Sequence, residues 1–152
     1  MRIKIFSFKK AILALLLILA VIQFIRIDKT NPPVEPGADF INNKRPSPGI
    51  AHILKTSCYD CHSNETVYPW YTNVAPVSWW IKNHIKEARH HLNFSEWTGY
   101  SSKKADHKLE ECIEMVQEGE MPLYSYTLLH RHAVLNEEQR HALAVWFESL
   151  RT

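Results

Sequence analysis

The chain has 152 residues, of which 45% are apolar and 22% charged, so it is long enough for one domain and too apolar to be disordered throughout. Residues 1–29 carry six basic side chains and one acidic one, whereas residues 30–152 carry 12 basic and 15 acidic ones. The basic charge therefore belongs to a leader, and the acidic remainder predicts no nucleic-acid partner.

The leader, residues 1–29, has the layout of an export signal. An unbroken apolar run over residues 11–22 comes after four basic side chains, and this order keeps the N-terminus in the cytoplasm and exports the remainder of the chain. No small-x-small cleavage pattern comes after the run. We therefore predict an uncleaved transmembrane anchor in the inner (cytoplasmic) membrane, with the rest of the chain in the periplasm. The alternative is a cleaved signal and a soluble periplasmic protein.

Residues 30–49 form a proline-rich linker. They contain five of the eight prolines of the chain, and prolines at this density prevent regular helix and favour extended, stiff chain. We predict a tether that holds a small domain away from a membrane. The alternative is an ordered coil that wraps over the domain.

Helical periodicity dominates residues 50–152, the predicted folded domain. A short helix is expected over residues 49–57, and a second carries one apolar face from Val77 to Leu92. A third ends at Gly119, and a fourth is capped by Asn136. The fold class is therefore all-α. Four short helices with long connections make a thin core, which predicts that the domain folds around a bound group.

One motif carries recognisable chemistry: Cys58-Tyr59-Asp60-Cys61-His62 has the C-x-x-C-H pattern of covalent haem c attachment. Two thiols on one turn can reach the two vinyl groups of a porphyrin and form thioethers, and the adjacent imidazole is then aimed at the iron. We predict one covalent haem c, held by Cys58 and Cys61, with His62 as the proximal iron ligand.

The cysteine pair has three other interpretations. A thioredoxin-like pair needs a βαβ context, which the sequence does not predict. A zinc site would need further ligands, for which Cys112 and His107 are irregularly spaced. A disulfide within the motif would be strained and leaves His62 without a role. Cys112 itself lies on an apolar helical face, which is typical of a small buried hydrophobe.

The predicted sixth ligand of the iron is Met121, in the turn Gly119-Glu120-Met121-Pro122. A thioether suits low-spin iron, and a turn bounded by glycine and proline can direct a side chain inward. His84, on the apolar face of its helix, is the runner-up distal ligand, and Met115 is a weaker one. Ordinary core packing is the alternative for each.

Aromatic side chains cluster just after the motif, among them Trp70, Trp79 and Trp80. Their rings could pack on a porphyrin, although ordinary core and surface packing is the better explanation for any single one of them. Arg89 could pair with a haem propionate.

With these residues in view, the chain resembles the haem-binding domain family of small exported bacterial proteins with a cytochrome c-like domain. The similar stretches are CYDCHSNET, YPWYTNVAPVSWWI, HLNFSEW, GEMPLYSY and ALAVWFESL. The resemblance spans residues 50–152 and implies haem on Cys58 and Cys61 with His62 as axial ligand. The Met-Pro element of that family corresponds to Met121 and Pro122.

The expected function is that of a membrane-tethered mono-haem cytochrome that passes single electrons to unidentified redox partner proteins. An iron with both axial positions filled has no open site, which favours electron transfer over substrate chemistry. A peroxidase-like haem enzyme and a haem-based sensor or binding module are the alternatives.

Overall fold

The computed structural model describes residues 2–151, and side chains from Phe8 onward. Within this range the chain forms helices and connecting coil without a strand, which confirms the all-α class. The α-helices in chain order are α1 (Arg2–Ile22), α2 (Phe40–Lys44), α3 (Pro48–Ser57), α4 (Tyr59–His62), α5 (Val77–His91), α6 (Ser102–Gln117), α7 (Tyr124–Thr127) and α8 (Glu137–Glu148). Three 3₁₀ helices span Trp70–Asn73, Phe94–Gly99 and Arg131–Ala133.

The chain divides into two compact units. The first comprises the described residues up to Thr30 together with Tyr68–His84. The second comprises Asn31–Val67 and the described residues from Ile85 onward. Helix α5 therefore contributes its first half to the first unit and its second half to the second.

The first unit joins the end of α1 to the segment Tyr68–His84 by hydrogen bonds. The Gln23 side chain donates to the carbonyl of Ala75 and accepts from its amide, each at 3.0 Å. The Trp79 indole donates to the carbonyl of Ile25 at 3.0 Å. These contacts fix residues 23–25 against the chain that enters α5.

Among the residues that the structure describes, no helix is long and apolar enough to cross a membrane. The transmembrane anchor predicted for the N-terminus is therefore not supported. The continuous apolar run, residues 11–22, rises only about 18 Å as a helix, less than the ~30 Å of a hydrocarbon core.

The second unit has one hydrophobic core, in which α6 packs on α8. The largest fully buried side chains come from five elements: Phe40 from α2, Leu54 from α3, Tyr59 from α4, Phe94 from a 3₁₀ helix, and Leu143 and Phe147 from α8. Because each element alone is short, the elements depend on packing of these aromatic and aliphatic side chains for their stability.

Local sequence signals explain where the long helices begin and end. Asn136 and Gln139 form the predicted capping box, in which each side chain bonds the backbone amide of the other. Ser101 caps α6 with a single bond, in which its side chain accepts from the Lys104 amide. Gly119 has φ of 78°, a left-handed conformation that glycine adopts without strain, and it lies just after the end of α6.

The proline-rich segment packs on the second unit instead of standing free. Phe40 is completely buried, and its ring lies 5.0 Å from Phe94 and 4.4 Å from Trp97. Asp39 is also buried, where it caps α2 and accepts a 3.0 Å hydrogen bond from the Tyr59 hydroxyl. The prediction that this segment contains no regular helix is therefore wrong for residues 40–44, which form α2. They pack on the core because burial of the Phe40 ring is favourable.

We predict that Phe40→Ala lowers the free energy of unfolding of the protein by about 3–5 kcal/mol, the usual effect of removing a buried phenyl ring. Val145→Ala is the matched control, because Val145 is 55% exposed and its loss should change stability by no more than about 0.5 kcal/mol. Urea unfolding followed by circular dichroism measures both. Equal, small effects would show that residues 39–44 are a free tether.

Candidate functional site

The C-x-x-C-H motif lies where α3 ends and α4 begins. The Cys58 amide donates to the carbonyl of Leu54 and closes α3. The Cys58 carbonyl then accepts from the amides of Cys61 at 3.2 Å and His62 at 2.9 Å. This turn places both thiols and the imidazole on five consecutive residues with a fixed backbone.

The imidazole of His62 is held by the carboxyl end of α5. Its Nδ1 lies 3.2 Å from the carbonyl oxygens of both Ala88 and Leu92. Two acceptors at Nδ1 require a proton on that atom, so the neutral ring keeps its lone pair on Nε2. Burial lowers the pKa of His62, against the opposing effect of these hydrogen bonds, and favours this neutral form. A neutral imidazole with Nδ1 bound to carbonyls is the form that ligates metals.

The two motif thiols are free and partly buried. Burial, with a further contribution from the neighbouring thiol, raises the pKa of Cys58 to about 12. Burial also raises the pKa of Cys61, to about 11. Cys112 packs against the core, and burial followed by the nearby Cys58 raises its pKa as well, in agreement with its interpretation as a small hydrophobe.

The loop after the motif is fixed by Arg89. Its Nε donates to the Ser63 carbonyl at 2.7 Å, and its Nη2 donates to Thr66 Oγ1 at 2.9 Å and Asn31 Oδ1 at 2.8 Å. The sequence suggests Arg89 as a propionate partner. In the structure, these bonds hold the loop after His62 against α5, and the pairing with a propionate stays a prediction.

A buried polar network supports the same loop. The Asn64 amide donates to Ser95 Oγ at 3.0 Å, and Asn93 Nδ2 donates to Asn64 Oδ1 at 3.0 Å. The three side chains are each at most 4% exposed, so their mutual hydrogen bonds offset the cost of burying them. The loop therefore has one stable conformation relative to the motif.

The segment that follows Met121 is tied to the motif by one side-chain contact and to the residue before the motif by another. The Tyr126 hydroxyl donates to Asp60 Oδ2 at 2.7 Å, and Asp60 lies inside the motif. Ser57 Oγ, one residue before the motif, donates to the carbonyl of Ala133 at 3.1 Å. The stretch from α7 to residue 133 thus lies beside the cysteines.

Met121 itself is positioned through its backbone. Its amide donates to the Met115 carbonyl at 3.0 Å, and its carbonyl accepts from Arg140 Nη1 at 3.1 Å. The same Arg140 atom also donates to the Val116 carbonyl at 3.0 Å. A single guanidinium from α8 therefore fixes the turn after α6.

His84 lies in the first unit, whereas the motif and Met121 lie in the second. Its ring lies tilted against that of Trp80 with centroids 4.1 Å apart, and its Nδ1 lies 3.0 Å from the Trp80 carbonyl. These local contacts are those of a packed helical histidine.

Several residues that shape the site carry no motif of their own. They are Asp39, Asn93, Ser95, Tyr126 and Arg140. The only sequence signal for a buried polar network is that the polar residues Asn93 and Ser95 come directly after the apolar face that ends at Leu92. The carbonyls of Ala88 and Leu92 could not be found from sequence, because every residue has one.

The donors present fit a haem. His62 offers Nε2 in the ligating form, and two free thiols stand on the same turn. The segment tied to the motif also exposes apolar side chains that a flat apolar macrocycle could cover, namely Tyr124, Leu128, Leu129 and Val134. For the zinc alternative, residues 2–151 contain no cluster of three or more His, Cys, Asp or Glu side chains that could hold a metal ion.

The fold and this donor set define a small all-α haem-binding protein. The family model described as the haem-binding domain matches residues 17–149, and the chain belongs to that family. The resemblance drawn from the sequence is thereby confirmed. No curated protein and no solved structure matches the chain.

We predict that Tyr126→Phe lowers the free energy of unfolding by about 1–2 kcal/mol, because it removes the hydroxyl that bonds Asp60. Tyr124→Phe is the matched control, since Tyr124 is 78% exposed and should change stability by less than about 0.5 kcal/mol. Urea unfolding of the two variants measures the difference. Indistinguishable variants would show that the Tyr126 contact does not hold α7 to the motif.

Proposed function

We propose that the protein is a mono-haem cytochrome of c type that transfers single electrons outside the cytoplasm. In this proposal Cys58 and Cys61 hold the haem covalently, His62 is the proximal ligand and Met121 the distal one. Haem binding itself is implied by family membership; covalent attachment, the ligand set and electron transfer are the proposed part.

The observation that carries the proposal is the setting of His62. Its Nδ1 is engaged by two backbone carbonyls, so only Nε2 can bind iron, and the ring cannot rotate without losing both hydrogen bonds. Such an outer contact fixes the tautomer and makes the imidazole a better ligand. The two carbonyl contacts therefore support the proposal that His62 is a permanent axial ligand and not a histidine that changes position.

The two thiols suit covalent attachment by addition. In each thioether, the cysteine sulfur bonds to one carbon of a vinyl group and the thiol proton goes to the other carbon. The addition consumes no oxidant or reductant. The fixed turn from Cys58 to Cys61 presents both sulfurs from one backbone segment, as a double attachment needs. When bound, haem iron supplies a reversible one-electron couple.

The support for Met121 as the distal ligand comes from its turn. Gly119 reverses the chain after α6, and Arg140 holds the Met121 carbonyl, so the turn is rigid without any bond from the thioether. A thioether opposite an imidazole raises the reduction potential and leaves no open position on the iron. Both effects suit a carrier of electrons.

Export and membrane association complete the proposal. Every residue from 8 to 21 is exposed, and the exposed side chains include Leu13, Leu16 and Leu17. An apolar helix surface of this kind is stabilised by contact with lipid. The basic residues before it favour transfer of the chain beyond it out of the cytoplasm. Membrane association would keep the haem near membrane-bound redox partners.

We predict that the wild-type protein, produced in a host that attaches haem c, keeps its haem on a denaturing gel stained for haem peroxidase activity. Cys58→Ala with Cys61→Ala should abolish the stain, because neither thioether can form. Cys112→Ala is the matched control and should retain it, because Cys112 lies outside the motif and packs against the hydrophobic core. A stained double variant would disprove attachment at these two sulfurs.

We predict that Met121→Ala lowers the reduction potential of the haem iron, because the iron loses a thioether ligand. The sharp low-spin bands of the reduced protein should also be lost. Met115→Ala is the matched control: it lies in α6, and its carbonyl bond to the Met121 amide survives the substitution. Absorption spectra and redox titration measure both variants. An unchanged Met121→Ala spectrum would disprove this ligand, and turnover of hydrogen peroxide by the wild type would favour the enzyme alternative.

A further inference from the structure

A group of exposed apolar side chains, here named the aromatic surface, lies in the first unit, outside the haem motif. Phe24 is 88% exposed, Trp70 76%, Trp80 49%, Val77 44% and Val74 43%. Two exposed tryptophans and three further exposed apolar side chains in one compact unit indicate a surface that binds something other than water.

The aromatic surface is held firmly to the chain that comes after the apolar helix. Arg26 Nη1 donates to the Asn73 carbonyl at 2.7 Å, and Lys29 Nζ donates to Asn73 Oδ1 at 2.6 Å. The indole of Trp79 donates to the Ile25 carbonyl at 3.0 Å. Trp70 and Trp80 are therefore carried on a segment that is bonded to residues 25–29.

The charge around the aromatic surface is positive. Residues 23–29 and 68–84 contain three basic side chains, Arg26, Lys29 and Lys82, and a single acidic one, Asp28. The Asp28 carboxylate accepts from the Thr30 amide at 2.8 Å. Exposed tryptophans next to basic side chains are the composition that settles at the headgroup level of a bilayer.

We propose that the aromatic surface rests in the headgroup region of a membrane that contains anionic lipid, with Trp70 and Trp80 inserted among the lipids. The inference rests on the membrane association proposed above and adds a second contact to it. The first contact is the exposed apolar part of α1, residues 11–21, and the aromatic surface begins with Phe24, just after this helix ends. The segment Tyr68–His84, which leads into α5, is then a membrane-binding element.

Lipid explains the aromatic surface better than a partner protein does. The surface begins at Phe24, two residues after α1 ends, so any bilayer that takes up the apolar helix reaches it at once. Arg26 and Lys29 come next, at the position where cations meet lipid headgroups. A protein partner would have to bind beside that bilayer and match a surface already suited to lipid.

The test uses the full-length haem-loaded protein with vesicles of equal parts phosphatidylcholine and phosphatidylglycerol. Flotation first reports whether the protein binds these vesicles. Tryptophan emission is then measured with vesicles that have brominated acyl chains and with vesicles that do not. Because the haem quenches equally in both, the ratio of the two emissions reports quenching by bromine alone. Trp70→Phe with Trp80→Phe keeps the surface apolar but removes two reporters. Trp146→Phe, whose ring packs on Phe40 in the second unit, is the matched control.

We expect the protein to float, its emission to be quenched by bromolipid, and most of that quenching to be lost in the double variant and kept in the control. If the protein floats but the double variant is quenched like the wild type, the inference is wrong and the membrane association stands. If the protein does not float, the proposed membrane association is wrong, and this inference is wrong as well because it depends on that association.

Discussion

The carbonyl oxygens of Ala88 and Leu92, at the carboxyl end of α5, hold the imidazole of His62. This contact joins the motif to the second unit's half of α5, and it determines which ring nitrogen can bind iron. Arg89, from the same turn of helix, donates a hydrogen bond to the loop after His62 and so holds the motif close to α5. The geometry of the site therefore depends on where α5 ends.

The core explains how so short a domain keeps that geometry. Phe40 and Tyr59 bury their rings against Phe94, which also lies edge-on to the His62 ring at 6.4 Å. Each ring comes from a different short element, so none of the elements is stable without the others. The buried Asp39–Tyr59 hydrogen bond connects the proline-rich segment directly to the motif. Residues outside the predicted domain are thus part of the support of the site.

The sequence predicted the features that depend on local signals. Apolar periodicity and caps indicated α5, α6 and α8, and the spacing of two cysteines and a histidine indicated the motif. The short helix α3 was predicted over residues 49–57. Phe40–Lys44 and Phe94–Gly99 escaped prediction, because tertiary packing of Phe40 and Phe94, and not periodicity, stabilises them. The carbonyl contacts of His62 and the Tyr126–Asp60 bond join residues 26 or more positions apart, which no local pattern encodes.

The central claim is that the chain carries one haem, covalently, on the turn from Cys58 to His62. Mass spectrometry of the purified protein after denaturation and proteolysis tests this most directly. We expect the peptide containing both cysteines to be heavier by the mass of one haem and no other peptide to be modified. A cysteine peptide of unmodified mass, with haem lost on denaturation, would contradict the claim.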